Sequence, residues 1–532
     1  MTPRIISLLA LGLLLGAPLR AQSGTVTVGT AQELIGAVFT LNNFNGPRTI
    51  LLRDGTYTID NYNSFFLVPP GVTIRGLSGN RDAVVIQGDS VFHADGTRTG
   101  GTIGVLFNVA ASNFTIENVS IGSVGNHAVQ LQLNIDNCVF RNVRFFNTGE
   151  QMLKVASDGV ADASDNGLVE DCLFEYTAGI GPQYYIGGID AHRSRNWTVR
   201  RCTFRGIRSP SATIAEHAIH FWDTCADILV ENNVIVDCDR GIGFGLGSGS
   251  TQGTTGGIIR NNMIYHGPSE GYADVGIGLE NAAGVQVYNN TIFFANTYPN
   301  AIEYRFAATS GVGIYNNLTN RAIRQRDSAS ATLGNNVDAA QAAWFIAPAT
   351  GDLHLASRLS AVVDQGRAIA GLTIDIDGQP RPQGAGIDIG ADEFAEAPPA
   401  TYAAWRSANF TGAALSNDAI SGPLADPDGA GVTNLQRYAF ALAARGPVAA
   451  PGTLGTVSTG GQRYLTLSFN RRAAATGLSY SVEASTDLTT WTPVPGLTYT
   501  AGSPASVTAQ DTVAMGAPGS ARRFLRVRVS QP

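Results

Sequence analysis

Short apolar runs alternate with polar positions along most of this chain, the two-residue period of strands rather than the longer period of helices. The runs also recur. The segments "IDNCVF", "VEDCLF", "VRRCTF", "VENNVI", "IRNNMI", "VYNNTI" and "IYNNLT" begin on apolar residues and place Cys138, Cys172, Cys202, Asn233, Asn262, Asn290 and Asn317 at the fourth position. Successive spacings of 34, 30, 31, 29, 28 and 27 residues predict one solenoid coil per repeat, with loops of variable length, over roughly 105–340. Coils stacked about 4.8 Å apart set equal positions above one another, so the asparagine column predicts a side-chain hydrogen-bond ladder and the cysteine column its apolar counterpart.

The strand before each ladder aligns in the same way. "HAVQLQ", "QMLKVA", "GGIDAHR", "HAIHFWD", "RGIGFG", "VGIGLEN" and "NAIEYRF" superpose on Val129, Leu153, Ile189, Ile219, Ile242, Ile277 and Ile302, all predicted to point inward. The next position then points outward and reads Gln130, Lys154, Asp190, His220, Gly243, Gly278 and Glu303. Two residues further on, a second outward column reads Gln132, Ala156, His192, Trp222, Gly245, Glu280 and Arg305. Where the strands begin, Asn126, Glu150, Glu216, Asp239 and Asp274 collect, with His127, His217 and Arg240 beside them. Lys154, Asp190, His192, His220 and Trp222 are therefore expected on three consecutive coils of one face, within about 10 Å. A solvated face of a parallel sheet also needs polar residues, but Thr, Ser and Asn serve that purpose. Two histidines, a tryptophan and a lysine point to a site whose crowded titratable groups shift one another.

Composition sharpens this. With 62 glycines and 14% charged residues among 532, the chain is built for many brief strands and tight turns. Of 35 basic residues, 34 are arginine, and the exception is Lys154. Arginine cannot give up its proton in a protein and lysine can, which makes Lys154 a candidate base. The net charge of −7 and the lack of any basic run exclude the electrostatic footprint of a nucleic-acid binder. Five cysteines with no CxxC pair form neither a zinc site nor a disulfide framework. The N-terminal "MTPRIISLLALGLLLGAPLRAQS" carries Arg4, an apolar run and a small-residue exit, the pattern of a cleaved signal peptide over 1–23. The mature chain is expected to be secreted or displayed at the cell surface, with no membrane span.

The repeats resemble those of the right-handed parallel β-helix proteins of the pectate lyase-like superfamily, the PbH1 type. That resemblance implies an all-β fold and supplies the handedness. "TAQELIGAVFTLN" is predicted to be a helix capping the open N-terminal end, as a solenoid requires. "DIDGQPRPQGAGIDIGADEF" is similar to the closing segment of exported β-helix proteins, so the β-helix domain is placed at 24–394. Strand patterns in "RYLTLSF", "LSYSVEAS" and "RRFLRVRV" predict a small accessory β-sandwich module over 450–532. The intervening 395–449 reads as a linker. It contains a degenerate calcium-loop-like stretch, "DPDGAGVTNLQR", in which Ala430 and Arg437 stand where two oxygen ligands belong.

"GEQMLKVAS" is similar to the lysine-bearing stretch of chondroitinase B and alginate lyase-type polysaccharide lyases. In that type a lysine removes the proton beside a uronate carboxylate, an arginine assists departure of the leaving group, and calcium neutralises the carboxylate. The resemblance implies Lys154 as base, Arg193 as its arginine, and a calcium site near Asn126 and Glu150, with Glu216 and Asp239 as further metal candidates. Read on their own, the residues leave several chemistries open. Asp190, His192, His217, His220 and Arg240 are further catalytic candidates, and His220 or His192 becomes the better base if Lys154 pairs with Asp190. Trp222 and Tyr304 are candidates to stack on sugar rings, Glu280, Glu303 and Arg305 to bind hydroxyls, and Tyr185 to sit on a loop over the groove. The leading expectation is a polysaccharide lyase cleaving an acidic, uronate-containing glycan by β-elimination. Paired carboxylates would equally serve a glycoside hydrolase, the same proton abstraction a C5-epimerase, and the fold alone a non-catalytic glycan-binding surface protein. A monomer whose partner is the polysaccharide is expected.

Overall fold

A computed structural model describes residues 24–531 except 45, 61–63, 160–163, 269–272, 396–400, 473–476, 500–504 and 519–521. The signal-peptide reading over 1–23 lies outside the described residues. The chain divides into two compact units, Met1–Phe394 and Ala395–Pro532.

The first unit is a solenoid of parallel strands. Each coil contributes a strand to three faces, and each strand pairs with its counterparts in the coils before and after. On one face Thr198–Arg200 lies between Leu168–Glu170 and Leu229–Glu231. On the next, Thr203–Arg205 lies between Leu173–Glu175 and Val234–Val236. The third face, called here the site face, holds ten strands from Phe65–Leu67 to Ala322–Gln325. The inward column of the site face is as the alternation predicts: Val129, Leu153, Ile189, Ile219, Ile242, Ile277 and Ile302 are all fully buried. Equal positions stack through the core, so the rings of Phe145, Phe174 and Phe204 lie parallel at 4.4 and 4.6 Å. Ala31–Phe44 forms the N-terminal helix and buries Leu34, Ala37, Val38 and Leu41 against the first coils.

The asparagine ladder forms. Each Asn Oδ1 accepts from the backbone N–H and the side-chain amide of the asparagine one coil earlier, from Asn233 through Asn262 and Asn290 to Asn317, at 2.9–3.1 Å. Asn336 continues the column for one more coil. The cysteine column is not a merely apolar counterpart. Cys202 Sγ accepts from Cys172 N–H at 3.4 Å, and Cys202 N–H donates to Asn233 Oδ1 at 2.9 Å, so sulfur performs the same duty where the ladder begins. The residue before each column position adopts the left-handed conformation, with φ of 56° at Asn232, 52° at Asn261, 53° at Asn289 and 54° at Asn316. Asparagine tolerates that region better than most residues, which explains the repeated "NN" pair: the first turns the chain and the second ties the coils.

The closing segment runs back over the second face. Phe345, Leu353, Leu355, Val362 and Ile389 pack on Met263, Tyr265, Phe293 and Leu318, and the buried Arg381–Glu393 ion pair at 2.8 Å fixes its end. All five cysteines are buried and none is in a disulfide.

In the second unit, two three-stranded antiparallel sheets span 453–530. The stretch read as a linker is more than that, because it carries the helices Tyr402–Asn409 and Asn434–Ala439. Tyr402, Trp405 and Tyr438 from these helices share one core with Phe469, Tyr480 and Val482 of the sheets. The calcium-like loop is closed by cations of its own. Asp428 accepts from Arg445 at 2.7 Å, and the fully buried Arg437 lies 3.6 Å from the same carboxylate, which leaves no oxygen cage for an ion.

Candidate active site on the site face

Strand register brings the outward columns together. Lys154 stands opposite Asp190, Asp190 opposite His220, and His192 opposite Trp222. Asp190 is the hub. Lys154 Nζ donates to Asp190 Oδ2, and Trp222 Nε1–H donates to Asp190 Oδ1 at 2.8 Å. His192 Nε2 lies 3.4 Å from Asp190 Oδ2 and 3.0 Å from Lys154 Nζ. Burial alone would push the Asp190 carboxyl up, but the His192 hydrogen bond and the charge of Lys154 outweigh it and hold the group well below the usual carboxylate range. The hub is therefore an anion through the neutral range. Lys154 enters as its ion-pair partner, the arrangement in which a histidine is the better base.

Outward does not mean open here. The side chains of Lys154 and His192 are 14% and 15% exposed, whereas Asp190 and His220 are buried. Trp222 covers part of the cluster, its ring 4.4 Å from that of His192 and 5.8 Å from that of His220. The glycine positions, expected to leave a groove, do so only in part. A Cβ at Gly243 would lie 2.6 Å from His217 Nε2, so the His217 ring occupies the space that this glycine vacates. His217 also packs against His220, the rings tilted by 40° with centroids 4.5 Å apart. Desolvation, aided by the charge each ring would place on the other and by Arg240, depresses His217 well below its ordinary value. His220 is depressed mainly by burial, against the opposing pull of Asp190 and Glu216. Both rings are neutral.

The remaining predicted residues divide. Arg193 reaches Gly159 O at 3.0 Å and lies 3.7 Å from Asp223, whose other oxygen is 3.9 Å from His192 Nδ1, so it adjoins the cluster through Asp223. Arg240 faces Asp274 at 3.8 Å. Arg305 links Glu280 at 3.0 Å to Asp327 at 2.9 Å, a half-exposed strip further along the face. Tyr184 and Tyr185 are exposed. Tyr304 is corrected: the alternation places it in the inward column opposite Leu279, and it is buried in the core, out of reach of a sugar. Glu303 is likewise consumed internally, accepting from Tyr298 Oη, Asn300 and Arg326 at 2.6–2.7 Å.

The expected carboxylate ligands Glu150, Glu216 and Asp239 are not gathered into one group. Asp239 is buried and spends its carboxylate on the backbone N–H groups of Ser209 and Ala215, at 2.9 and 2.8 Å. Glu150 lies 3.4 Å from His127 Nε2. Of the proposed set only Glu216 joins a group of three or more His, Cys, Asp or Glu ligand atoms among the described residues, and its companions are His217 and His220. Calcium takes six to eight oxygens, so these residues do not fit it. A second such group, His354, Asp377 and Asp392, lies where the closing segment meets the solenoid.

The family model of the right handed beta helix region matches residues 49–235. The fold of the first unit is a right-handed parallel β-helix. Solved structures similar to the chain include pectate lyase Pel9A, at 14% identity over 67% of this chain and 90% of that one, with a TM-score of 0.44. An alginate lyase from Paenibacillus sp. str. FPU-7 is 15% identical over 52% of this chain and 94% of that one, with a TM-score of 0.35. The catalytic unit of a thermostable GH87 alpha-1,3-glucanase from Streptomyces thermodiastaticus strain HF3-3 is 15% identical over 60% of this chain and 64% of that one, with a TM-score of 0.33. These likenesses are of fold. No curated protein sequence matches the chain. No described helix is long and apolar enough to cross a membrane.

Proposed function

We propose that this chain is a secreted carbohydrate-active β-helix protein, a polysaccharide lyase that cleaves an acidic, uronate-containing glycan by β-elimination. One observation carries the reading: the chain's only lysine meets a buried, ionised aspartate and a partly exposed histidine on one sheet face, beside a tryptophan. Elimination needs positive charge near the uronate carboxylate and a base at the C5 proton. Lys154 supplies the charge. His192 is the base: its ring is exposed enough to reach a substrate, whereas His217 and His220 are buried. His192 takes the C5 proton, the C5–H electron pair forms the C4=C5 double bond as the C4–O bond breaks, and the departing oxygen takes a proton from water. Trp222 and the Glu280–Arg305 strip offer the sugar stacking and hydroxyl contacts.

A second reading rests on one further observation. The carboxylates of Asp190 and Glu216 flank the same His220 nitrogen at 3.7 and 3.8 Å, and a glycoside hydrolase works with two neighbouring carboxylates. The test is ultraviolet absorbance of the purified chain on alginate, pectate, chondroitin sulfate and related uronate polymers. Rising absorbance from unsaturated uronate, lost in His192→Ala and Lys154→Ala, is the expected result. New reducing ends without absorbance would make it a hydrolase, altered uronate configuration without cleavage a C5-epimerase, and binding without any product a glycan-binding surface protein.

A further inference from the structure

We infer that Glu216, His217 and His220 form a binding site for a divalent first-row transition ion, in place of the oxygen cage that calcium would need. One ligand atom from each of the three lies within 4.8 Å of the other two. The second and independent observation is what the imidazoles lack. His217 Nδ1 and His220 Nδ1 are buried and have no hydrogen-bond partner, in residues only 7% and 1% exposed. A buried polar nitrogen left unpaired is costly, and two in adjacent rings call for an explanation.

The tautomer of His220 follows from its surroundings. Its Nε2 lies 3.1 Å from the carbonyl of Gly245, which can only accept, so Nε2 carries the hydrogen and Nδ1 presents a lone pair. That lone pair faces two carboxylate oxygens, Asp190 Oδ1 at 3.7 Å and Glu216 Oε2 at 3.8 Å, which can only accept as well. An acceptor ringed by acceptors is the local geometry that a cation resolves, and the Gly245 bond behind the ring fixes it as a ligand-holding partner does. The donor set decides which cation. Two neutral imidazoles and one carboxylate suit zinc, cobalt, nickel or iron, whereas calcium and magnesium want oxygen. Bond lengths near 2.0–2.2 Å need the three groups to close in by about an ångström or less. Glu216, 27% exposed at its side chain, is the wall through which an ion enters and the side on which coordination positions stay open. The inference rests on these contacts and does not depend on the lyase reading.

The experiment is zinc binding by the full-length mature protein, followed by calorimetry in millimolar calcium. Parallel titrations use Glu216→Gln, His217→Leu and, as a control for the other cluster, Asp377→Asn. One zinc per chain that calcium does not displace is expected, weakened at least tenfold in Glu216→Gln, lost in His217→Leu and unchanged in Asp377→Asn. Glu216 is part-exposed and glutamine is isosteric, so that variant keeps the test valid if His217→Leu fails to fold. Cobalt should reproduce the stoichiometry and give visible d–d bands with imidazole ligation. Absence of zinc binding, displacement by calcium, or binding that survives Glu216→Gln but disappears in Asp377→Asn would overturn the inference.

Discussion

The asparagine ladder and the site-face cluster are both columns of buried polar side chains stacked at the same coil spacing, yet they are built on opposite terms. In the ladder every group answers an identical neighbour: Asn262 takes two hydrogen bonds from Asn233 and gives two to Asn290, with a spare amide hydrogen on Val230 O at 3.0 Å. In the cluster, Lys154, Asp190 and His220 stand in the same vertical relation but differ in charge, and two imidazole nitrogens go unanswered. Repetition satisfies polar groups cheaply. Departure from repetition, on a scaffold that otherwise repeats, marks where polarity is kept for chemistry.

This contrast can be broken or sharpened experimentally. Asp190→Asn should have the largest effect, because it leaves Lys154 facing a neutral amide in a buried site. A loss of about 3–5 kcal/mol in urea unfolding is expected, together with loss of turnover. Asn262→Ala should cost about 3 kcal/mol by the same measurement, since it strands buried N–H and carbonyl groups, while kcat stays unchanged. Equal damage to turnover from both variants would erase the distinction between the two columns.

A smaller effect concerns pH. His266 is fully buried against Phe294, both ring nitrogens lack partners, and burial depresses it to about 3. Its folded value lies below the unfolded one of about 6.5, so the unfolded chain binds the extra proton as pH falls. Its contribution is intact above pH 6.5 and declines toward pH 3, by about 2 kcal/mol at pH 5. His266→Phe should flatten that part of the acid limb in unfolding measured from pH 7 to pH 5. The smallest stability effect belongs to the half-exposed Glu280–Arg305–Asp327 strip, where Arg305→Ala should cost under about 1 kcal/mol. On the lyase reading the same change raises KM severalfold with kcat preserved.

The coil register was legible because a solenoid writes one structural position into each repeat. The spacing of Cys138 through Asn317 and the inward Ile219 column follow from it directly. The meeting of Lys154, Asp190, His192 and Trp222 was legible for the same reason, since a two-residue period and a coil offset suffice to locate them. Burial on the outer face was not, because it depends on rings folding across coils, as His217 does over Gly243. Tyr304 shows a plainer lapse: the alternation that exposed Arg305 already placed its neighbour inside. The role of the first asparagine in each "NN" pair lay in the sequence as a turn residue, hidden behind the ladder beside it.

The buried thiols have a use that the protein itself does not require of them. Cys138, Cys172, Cys202, Cys225 and Cys238 occupy the middle of the solenoid, each sealed from solvent, with no cross-link among them. Each is a built-in clock for the opening of its own stretch of chain. A thiol reagent, read residue by residue, would report whether the solenoid frays inward from its ends or comes apart as one body.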